Sequence, residues 1–442
     1  MASETVDKNC INISDSSNNN VDLEYDTNQI PEWLNKDYME NILKIYKNDK
    51  SLKITSFKVK PALGKGENFG GVMTRIQLQY ICKCSKSLKD GYYIAKSSFE
   101  DDAFSMEKMK DYDIFNREID IYQNILPKLR EYLNEINDKE IIFPTTIYVD
   151  YKNSGILFED LSVESFIMPD RTKGLDEAHI KLALRKLAKL HATSAVLNER
   201  EPNSFKTYDR GFFNRHTNSY ASFFENNLRI CGETVKKFGP EYIKYSEKIE
   251  KLVPQLMDIG RKLFDVQEHE FNSFVHGDFW VNNLLYKYDE KQINKPLEAI
   301  ILDYQYSFYG SSVLDLLYFM NTSMKEELRL SEEDKYIQYY YNFLVETLKK
   351  LKFNGKIPTL HEFHIQYITK EFFAFHSSCV IQPVMLNEET EDADFNALMA
   401  EDERAFNFKR TIYKNKRVVQ NLKKLLPHFD RRGILDTKLE NL

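Results

Sequence analysis

Between residues 276 and 283 the chain reads His276-Gly277-Asp278-Phe279-Trp280-Val281-Asn282-Asn283, directly after a short apolar run, Ser273 to Val275. An acid and a carboxamide five residues apart on a loop can divide labour. The Asp278 carboxylate can face a substrate hydroxyl while the Asn283 oxygen turns to a metal. Twenty residues beyond Asn283, Asp303 follows a second apolar run, Ala299 to Leu302. Two strand-end oxygen donors, Asn283 and Asp303, can therefore meet at one magnesium ion, which takes hard oxygen ligands and fills its other positions with water and phosphate oxygens. Isolated Asp and Asn residues also cap turns and satisfy buried backbone donors. That use accounts for Asp278 or Asn283 but leaves Asp303 unexplained.

A second constellation lies upstream, in Gly64-Lys65-Gly66-Glu67-Asn68-Phe69-Gly70-Gly71 between candidate strands. Its glycines let the backbone approach phosphates closely. The spacing is not that of a dinucleotide fingerprint, and the Lys-Ser/Thr pair of a Walker loop is absent. A tight hairpin would use the same residues.

Several elements must hold these groups. The first 25 residues are rich in Asn, Ser, Asp and Glu and read as a mobile tail. Leu34, Tyr38, Ile42 and Ile45 recur at near-helical spacing. Residues 53–61, 72–82 and 91–97 read as strands, with the polar segment Ser85 to Asp90 as a turn, which gives an antiparallel arrangement without a crossover helix. Phe115, Ile119, Tyr122 and Leu126 place one apolar stripe on a helix that Pro127 begins to end. Residues 141–149 and 155–159 are further strands. After Asp160 the chain turns mainly helical, with helices expected over 177–198, 312–320, 332–351, 363–379 and 409–425. This is an α+β order: a small sheet with one intervening helix, then a larger helical region. No internal repeat is present.

In this order the motifs resemble the protein-kinase-like small-molecule kinases, the group of the aminoglycoside phosphotransferases and choline kinases, and within it the insect ecdysteroid-kinase-like family. His276 to Asn283 resembles that family's catalytic-loop signature and Asp303 its metal-binding aspartate. Asp315, in Val313-Leu314-Asp315-Leu316-Leu317-Tyr318-Phe319, stands at another recurrent position. With Gly66 to Phe69, Lys96 and Glu118, the resemblance runs over residues 30–425. It implies a two-lobed α+β fold, with an antiparallel-sheet lobe over 26–160 and a mostly helical catalytic and substrate-binding lobe over 161–442. ATP and Mg2+ are the implied cofactors. Asp278 would orient or deprotonate the acceptor hydroxyl, Asn283 and Asp303 would hold magnesium, and His276 would support the loop. Gly64, Gly66, Asn68, Phe69 and Gly70 would cover the phosphates, and Lys96, fixed by Glu118, would contact them. Glu159 and Leu161 fall in the segment joining the lobes, where backbone groups read adenine. Trp280 is expected to pack beneath the catalytic loop, with stacking on the nucleotide as the alternative.

Eleven residues separate Asp303 from Asp315, leaving little room for the long activation segment that receives peptides in protein kinases. Asp303-Tyr304-Gln305 also replaces the Asp-Phe-Gly of those enzymes. A small hydroxylated acceptor is therefore expected. The aromatic run Phe363, Tyr367, Phe372, Phe373 and Phe375 offers a lining for a sterol or another flat alcohol, with Tyr367, Phe372 and Phe373 as candidate pocket residues. Ordinary helix packing uses the same pattern. The resemblance names the 22-hydroxyl of an ecdysteroid as one acceptor; a choline or ethanolamine kinase and an inactive kinase-like binding module are the alternatives.

A formal net charge of −7 and a pI near 5.9 supply no overall attraction to nucleic acid. Five scattered cysteines suit a reducing compartment. Neither a secretory signal nor an apolar stretch of roughly 20 residues is apparent, so a cytoplasmic protein is expected, without integral membrane association or an obligate protein partner. The basic stretch Lys409 to Lys424 could touch an acidic membrane surface, but Val418, Val419, Leu422 and Leu425 suit packing on the protein itself.

Overall fold

The computed structural model describes residues 30–62, 71–83, 85–98, 110–388 and 398–441. Alternation along strands decides which side chains of the first lobe face the cleft. β1 (Lys53–Pro61), β2 (Val72–Cys82), β3 (Ser85–Ser97), β4 (Thr146–Asp150) and β5 (Gly155–Glu159) form one sheet in the order β1-β2-β3-β5-β4, and every neighbouring pair is antiparallel. On β2, Ile76, Leu78, Tyr80 and Cys82 are buried at every second position. With Tyr93 and Ala95 of β3 they form a core against helix α1 (Lys36–Tyr46). Ile94 and Lys96, one residue out of phase with Tyr93 and Ala95, line the opposite, cleft-facing side.

Several expected boundaries shift. Ser85 to Asp90 is strand rather than turn: Cys82 pairs with Ser85 and Gln79 with Asp90, so the chain reverses before this segment. β4 starts at Thr146, because Pro144 lacks the N–H that a ladder needs and the Ile142 carbonyl is taken by Ile301 N at 2.7 Å. The helix over 114–135 does not end at Pro127. Helix α2 (Ile114–Asp120) passes through a π turn, Ile121–Ile125, into helix α3 (Leu126–Glu135), where Pro127 occupies the first turn and its missing N–H costs nothing. On α1 the buried face is Met39, Ile42 and Leu43, whereas Ile45 is 71% exposed and outside it.

The second lobe is mostly helical and holds the larger apolar core. Helix α4 (Glu177–Arg200) is capped by Asp176, and Ile180, Leu184, Leu187 and Leu190 are fully buried along it. The helix expected over 363–379 divides into Leu360–Thr369 and Phe372–His376, followed by a π turn, with the Lys370 ammonium drawn to the Leu263 carbonyl at 2.8 Å. The one expected over 409–425 divides at Asn415, whose side chain accepts from Arg417 N and caps a new helix, Lys416–Arg431. Val418, Leu422 and Leu425 of that helix are buried.

Two short ladders frame the loops that carry the acidic residues. β7 (Asn272–Val275) pairs with β10 (Phe308–Ser311), and β8 (Leu284–Asp289) pairs with β9 (Gln292–Ile301) on one side and with β6 (Phe166–Ile167) on the other. Residues 276–283 leave β7 and enter β8, while 302–307 leave β9 and enter β10. Helix α5 (Val313–Thr322) follows and packs beneath both. At Gly277 the backbone is left-handed, with φ +82°, and a Cβ would lie 2.2 Å from the Tyr306 carbonyl oxygen. Gly277→Ala is therefore expected to destabilise the fold by about 3 kcal/mol or more, through strain and clash together. Urea unfolding of both proteins checks this; an unchanged midpoint refutes it.

Candidate active site

Lys96 reaches from the sheet into the cleft and meets two carboxylates. Its Nζ lies 2.8 and 2.7 Å from the two oxygens of Glu118, on α2, and 2.8 Å from Asp303 Oδ1. Three residues remote in sequence, from strand, helix and loop, thus converge across the lobes. Burial opposes the lysine charge, but Asp303 and Glu118 outweigh it and raise the pKa above the ordinary value. Burial, partly offset by Lys96, pushes the Glu118 carboxyl upward. Asp303 holds a left-handed backbone, φ +63°, which aspartate tolerates better than most side chains.

The loop after β7 is held from below by Asp315 of α5. Its Oδ2 accepts from His276 N at 2.7 Å and its Oδ1 from Gly277 N at 2.9 Å. His191 Nε2 of α4 stands 3.0 Å from the same carboxylate and His191 Nδ1 is 2.6 Å from Tyr340 Oη. The His276 ring accepts from Asp278 N at its Nδ1, 3.3 Å, so Nε2 carries the proton donated to the Leu302 carbonyl at 2.8 Å. Burial lowers its pKa, which keeps the ring neutral. With both nitrogens engaged in the loop, His276 ties the 276–283 and 302–307 segments together.

Asp278 itself is anchored at both oxygens. Tyr318 Oη donates to Oδ1 at 2.7 Å, and Asn283 Nδ2 donates to Oδ2 at 3.1 Å and to the Asp278 carbonyl at 2.9 Å. Burial, with the charge of Asp303 adding to it, pushes the carboxyl up to about 7 against the pull of the Tyr318 and Asn283 bonds.

Two cavities open on this carboxylate. The first is lined by Lys96, Glu118, Glu159, Leu161, Asn283 and Asp303, among others. The second runs into the helical lobe between Phe212, Tyr220, Phe224, Tyr306, Tyr318 and Phe408. Asp278, Trp280, Asn282 and Gln305 border both. Trp280 is therefore not beneath the loop but at the junction. Tyr367, Phe372 and Phe373 do not line the second cavity, which corrects their expected place. All three are buried in the core, Tyr367 bonding Glu333 at 2.6 Å and Phe373 stacking behind Tyr318 at 5.9 Å. Phe363 and Phe375 are likewise fully buried. Gly64, Gly66, Asn68, Phe69 and Gly70 lie outside the described residues.

The sequence reading missed Tyr318, His191, Tyr220 and Tyr306. Tyr318 had one available signal: it follows Asp315 by three residues, so the two project from nearby positions on one helix. Arg117 was missed as well; its guanidinium donates to the Ser307 carbonyl at 2.6 Å and to the Arg210 carbonyl at 3.1 Å, tying α2 to the segment after Asp303.

An antiparallel sheet that sends a paired lysine across a cleft, toward acidic loops on a helical lobe, is the layout of the protein-kinase-like phosphotransferases. Within that class the chain belongs to the ecdysteroid kinase-like family, which matches residues 65–353. No curated protein matches the sequence. Among solved structures the chain is similar to an ethanolamine kinase of Plasmodium vivax, at 14% identity and TM-score 0.39, over 89% of this chain and 90% of that one. It is also similar to the choline kinase LicA of Streptococcus pneumoniae, at 15% identity and TM-score 0.35, over 88% and 99% of the two chains. An aminoglycoside 2'-phosphotransferase IIIa in complex with GDP matches at 11% identity and TM-score 0.40, over 89% and 100%.

The Lys96 cluster makes a prediction for stability. Lys96→Met leaves two carboxylates without their cation, so the fold should lose about 3–5 kcal/mol near neutral pH. The loss should shrink in acid. A buried carboxyl with a raised folded pKa contributes its stability below the unfolded value, and that contribution is lost as pH rises through the folded value. Thermal unfolding of both proteins from pH 5 to 8 measures the gap; a gap that widens toward pH 5 contradicts the assignment.

Proposed function

We propose that this protein transfers the terminal phosphoryl group of ATP to a hydroxyl of a neutral, largely apolar small molecule, with an ecdysteroid as the first candidate. One observation carries the reading: Asp278 borders both cavities. A nucleotide in the first and an alcohol in the second would meet at a single carboxylate. The acceptor oxygen would bond to phosphorus as the bond to the departing ADP oxygen breaks, and the hydroxyl proton would pass to Asp278. A base with a pKa near the working pH suits that task.

The remaining roles concern position and charge, which dominate phosphoryl transfer. Lys96 would contact the nucleotide phosphates, with Glu118 holding its ammonium in line. Glu159 and Leu161 would lie beside adenine, and Gly64, Gly66, Asn68, Phe69 and Gly70 are assigned to the phosphates on sequence alone. Asn283 and Asp303 fit a magnesium site. Asn283 Nδ2 bonds to Asp278, which leaves its carboxamide oxygen for a ligand, and Asp303 has a second oxygen beyond the one that meets Lys96. Among the described residues there is no cluster of three or more His, Cys, Asp or Glu suited to a metal, but magnesium needs only one or two protein ligands beside water and phosphate. Bound there, it would screen the phosphate charge.

The ecdysteroid is placed ahead of choline and ethanolamine on family membership. The one cation in the described lining of the second cavity, Arg171, donates to the Asn387 carbonyl at 2.6 Å. Aromatic walls suit a flat apolar skeleton. Buried thiols at Cys231 and Cys379 accord with a cytoplasmic location. Among the described residues no helix is long and apolar enough to cross a membrane.

The test is to incubate the protein with Mg-ATP and an ecdysteroid, choline or ethanolamine, and to identify phosphorylated product by mass. A higher kcat/KM for choline or ethanolamine would reverse the order of acceptors. Nucleotide binding without transfer to any alcohol would point to an inactive binding module. Asp278→Asn is expected to fold and to bind Mg-ATP, because its amide can accept from Asn283 and donate to the Tyr318 hydroxyl, which also accepts. Its acceptor-dependent turnover should fall about 100-fold or more. Asp303→Asn should weaken magnesium-dependent nucleotide binding as well as turnover. Calorimetry and turnover on the same preparations separate the two; wild-type turnover in Asp278→Asn removes Asp278 from the chemistry.

A further inference from the structure

The geometry points to Tyr318 as the residue that positions Asp278 for the acceptor hydroxyl, an inference that rests on the phosphotransfer reading above. The Asp278 carboxylate is gripped from two sides. Asn283, which lines the first cavity, donates to Oδ2 at 3.1 Å; Tyr318, which lines the second, donates to Oδ1 at 2.7 Å. The nucleotide-side donor therefore leaves one oxygen unheld, and the acceptor-side donor fixes it. Without Tyr318 only the 3.1 Å bond from Asn283 would resist rotation of the carboxyl about its Cβ–Cγ bond.

The donor is itself rigid. Tyr318 sits on α5 three residues after Asp315, whose carboxylate holds the backbone of His276 and Gly277. One helix thus sets both the path of the loop and the plane of its carboxylate. The Tyr318 ring is buried, stacked on Phe373 at 5.9 Å with an interplanar angle of 14°, and flanked by Phe212 at 5.8 Å. An alcohol entering the second cavity would present its single proton to the carboxylate that Tyr318 holds. Tyr318 would consequently act through the plane of Asp278, an effect on the reactive geometry rather than on nucleotide affinity.

Tyr318→Phe keeps the ring and its stacking and removes only the donor. With Mg-ATP and an ecdysteroid as probes, kcat should fall about 10- to 100-fold, as loss of one hydrogen bond to a charged group implies. The KM for ATP should stay within about twofold, since the nucleotide side is untouched. In an Asp278→Asn background the same substitution should change kcat by less than about twofold, because the carboxylate it positions is gone. A crystal structure of Tyr318→Phe should show the Asp278 carboxyl rotated from its present plane. An unmoved carboxyl, an undiminished kcat, or an equal loss in both backgrounds overturns the proposal. If the wild-type protein phosphorylates neither the ecdysteroid nor choline, the functional reading fails, and the crystallographic comparison still decides whether Tyr318 sets the carboxyl.

Discussion

Removing a carboxylate from water costs several kcal/mol unless donors replace its hydration, and Asp315 is almost wholly buried. It meets that constraint with the N–H groups of His276 and Gly277 and with the His191 ring. The arrangement holds two consecutive peptide N–H groups toward one point, which requires the left-handed turn that Gly277 alone permits there. Asp278 follows at once, so the direction of its side chain is a consequence of how Asp315 is solvated. His276 extends the same constraint to the next loop through the Leu302 carbonyl, one residue before Asp303.

The second organising contact is electrostatic. Lys96 comes from a sheet whose own core lies on its other face, and it is paired with one carboxylate from a helix and one from a loop of the helical lobe. Each charge is tolerable only while the others remain, so the strand, α2 and the segment after Asp303 are coupled in position. Arg117, the residue before Glu118, reinforces the coupling by binding the Ser307 carbonyl. The π turn that follows α2 keeps Tyr122 on the cleft beside Glu118 while Pro127 is absorbed into the next helical start.

These contacts explain what could be read from the chain. β1 and β2 were legible because a half-buried strand alternates, whereas Lys96, at the end of β3, was legible only through the family resemblance. Asp278, Asn283 and Asp303 were legible as oxygen donors at strand ends. The bonds that aim them were not. Asp315 meets His276 across 39 residues, Tyr318 meets Asp278 across 40 and His191 meets Asp315 across 124, and no local pattern encodes such pairings. The acceptor wall was misread for a different reason. Aromatic residues at helical spacing look alike whether they face a cavity or a core, and the ring of Phe373 lies directly behind Tyr318, one layer from the space it was expected to line.

The stretch between Asp303 and β10 has a consequence for control. Tyr304, Gln305, Tyr306 and Ser307 are all buried, at 6% exposure or less, and β10 is paired along its length with β7. A segment so enclosed keeps the hydroxyls of Tyr304, Tyr306 and Ser307 covered, and the β7 ladder holds its far end. Protein kinases use the corresponding region as a switch. Here the same region is a covered wall, with Gln305 and Tyr306 lining the second cavity, so the segment that is an exposed strap in those enzymes is part of the packed interior in this chain.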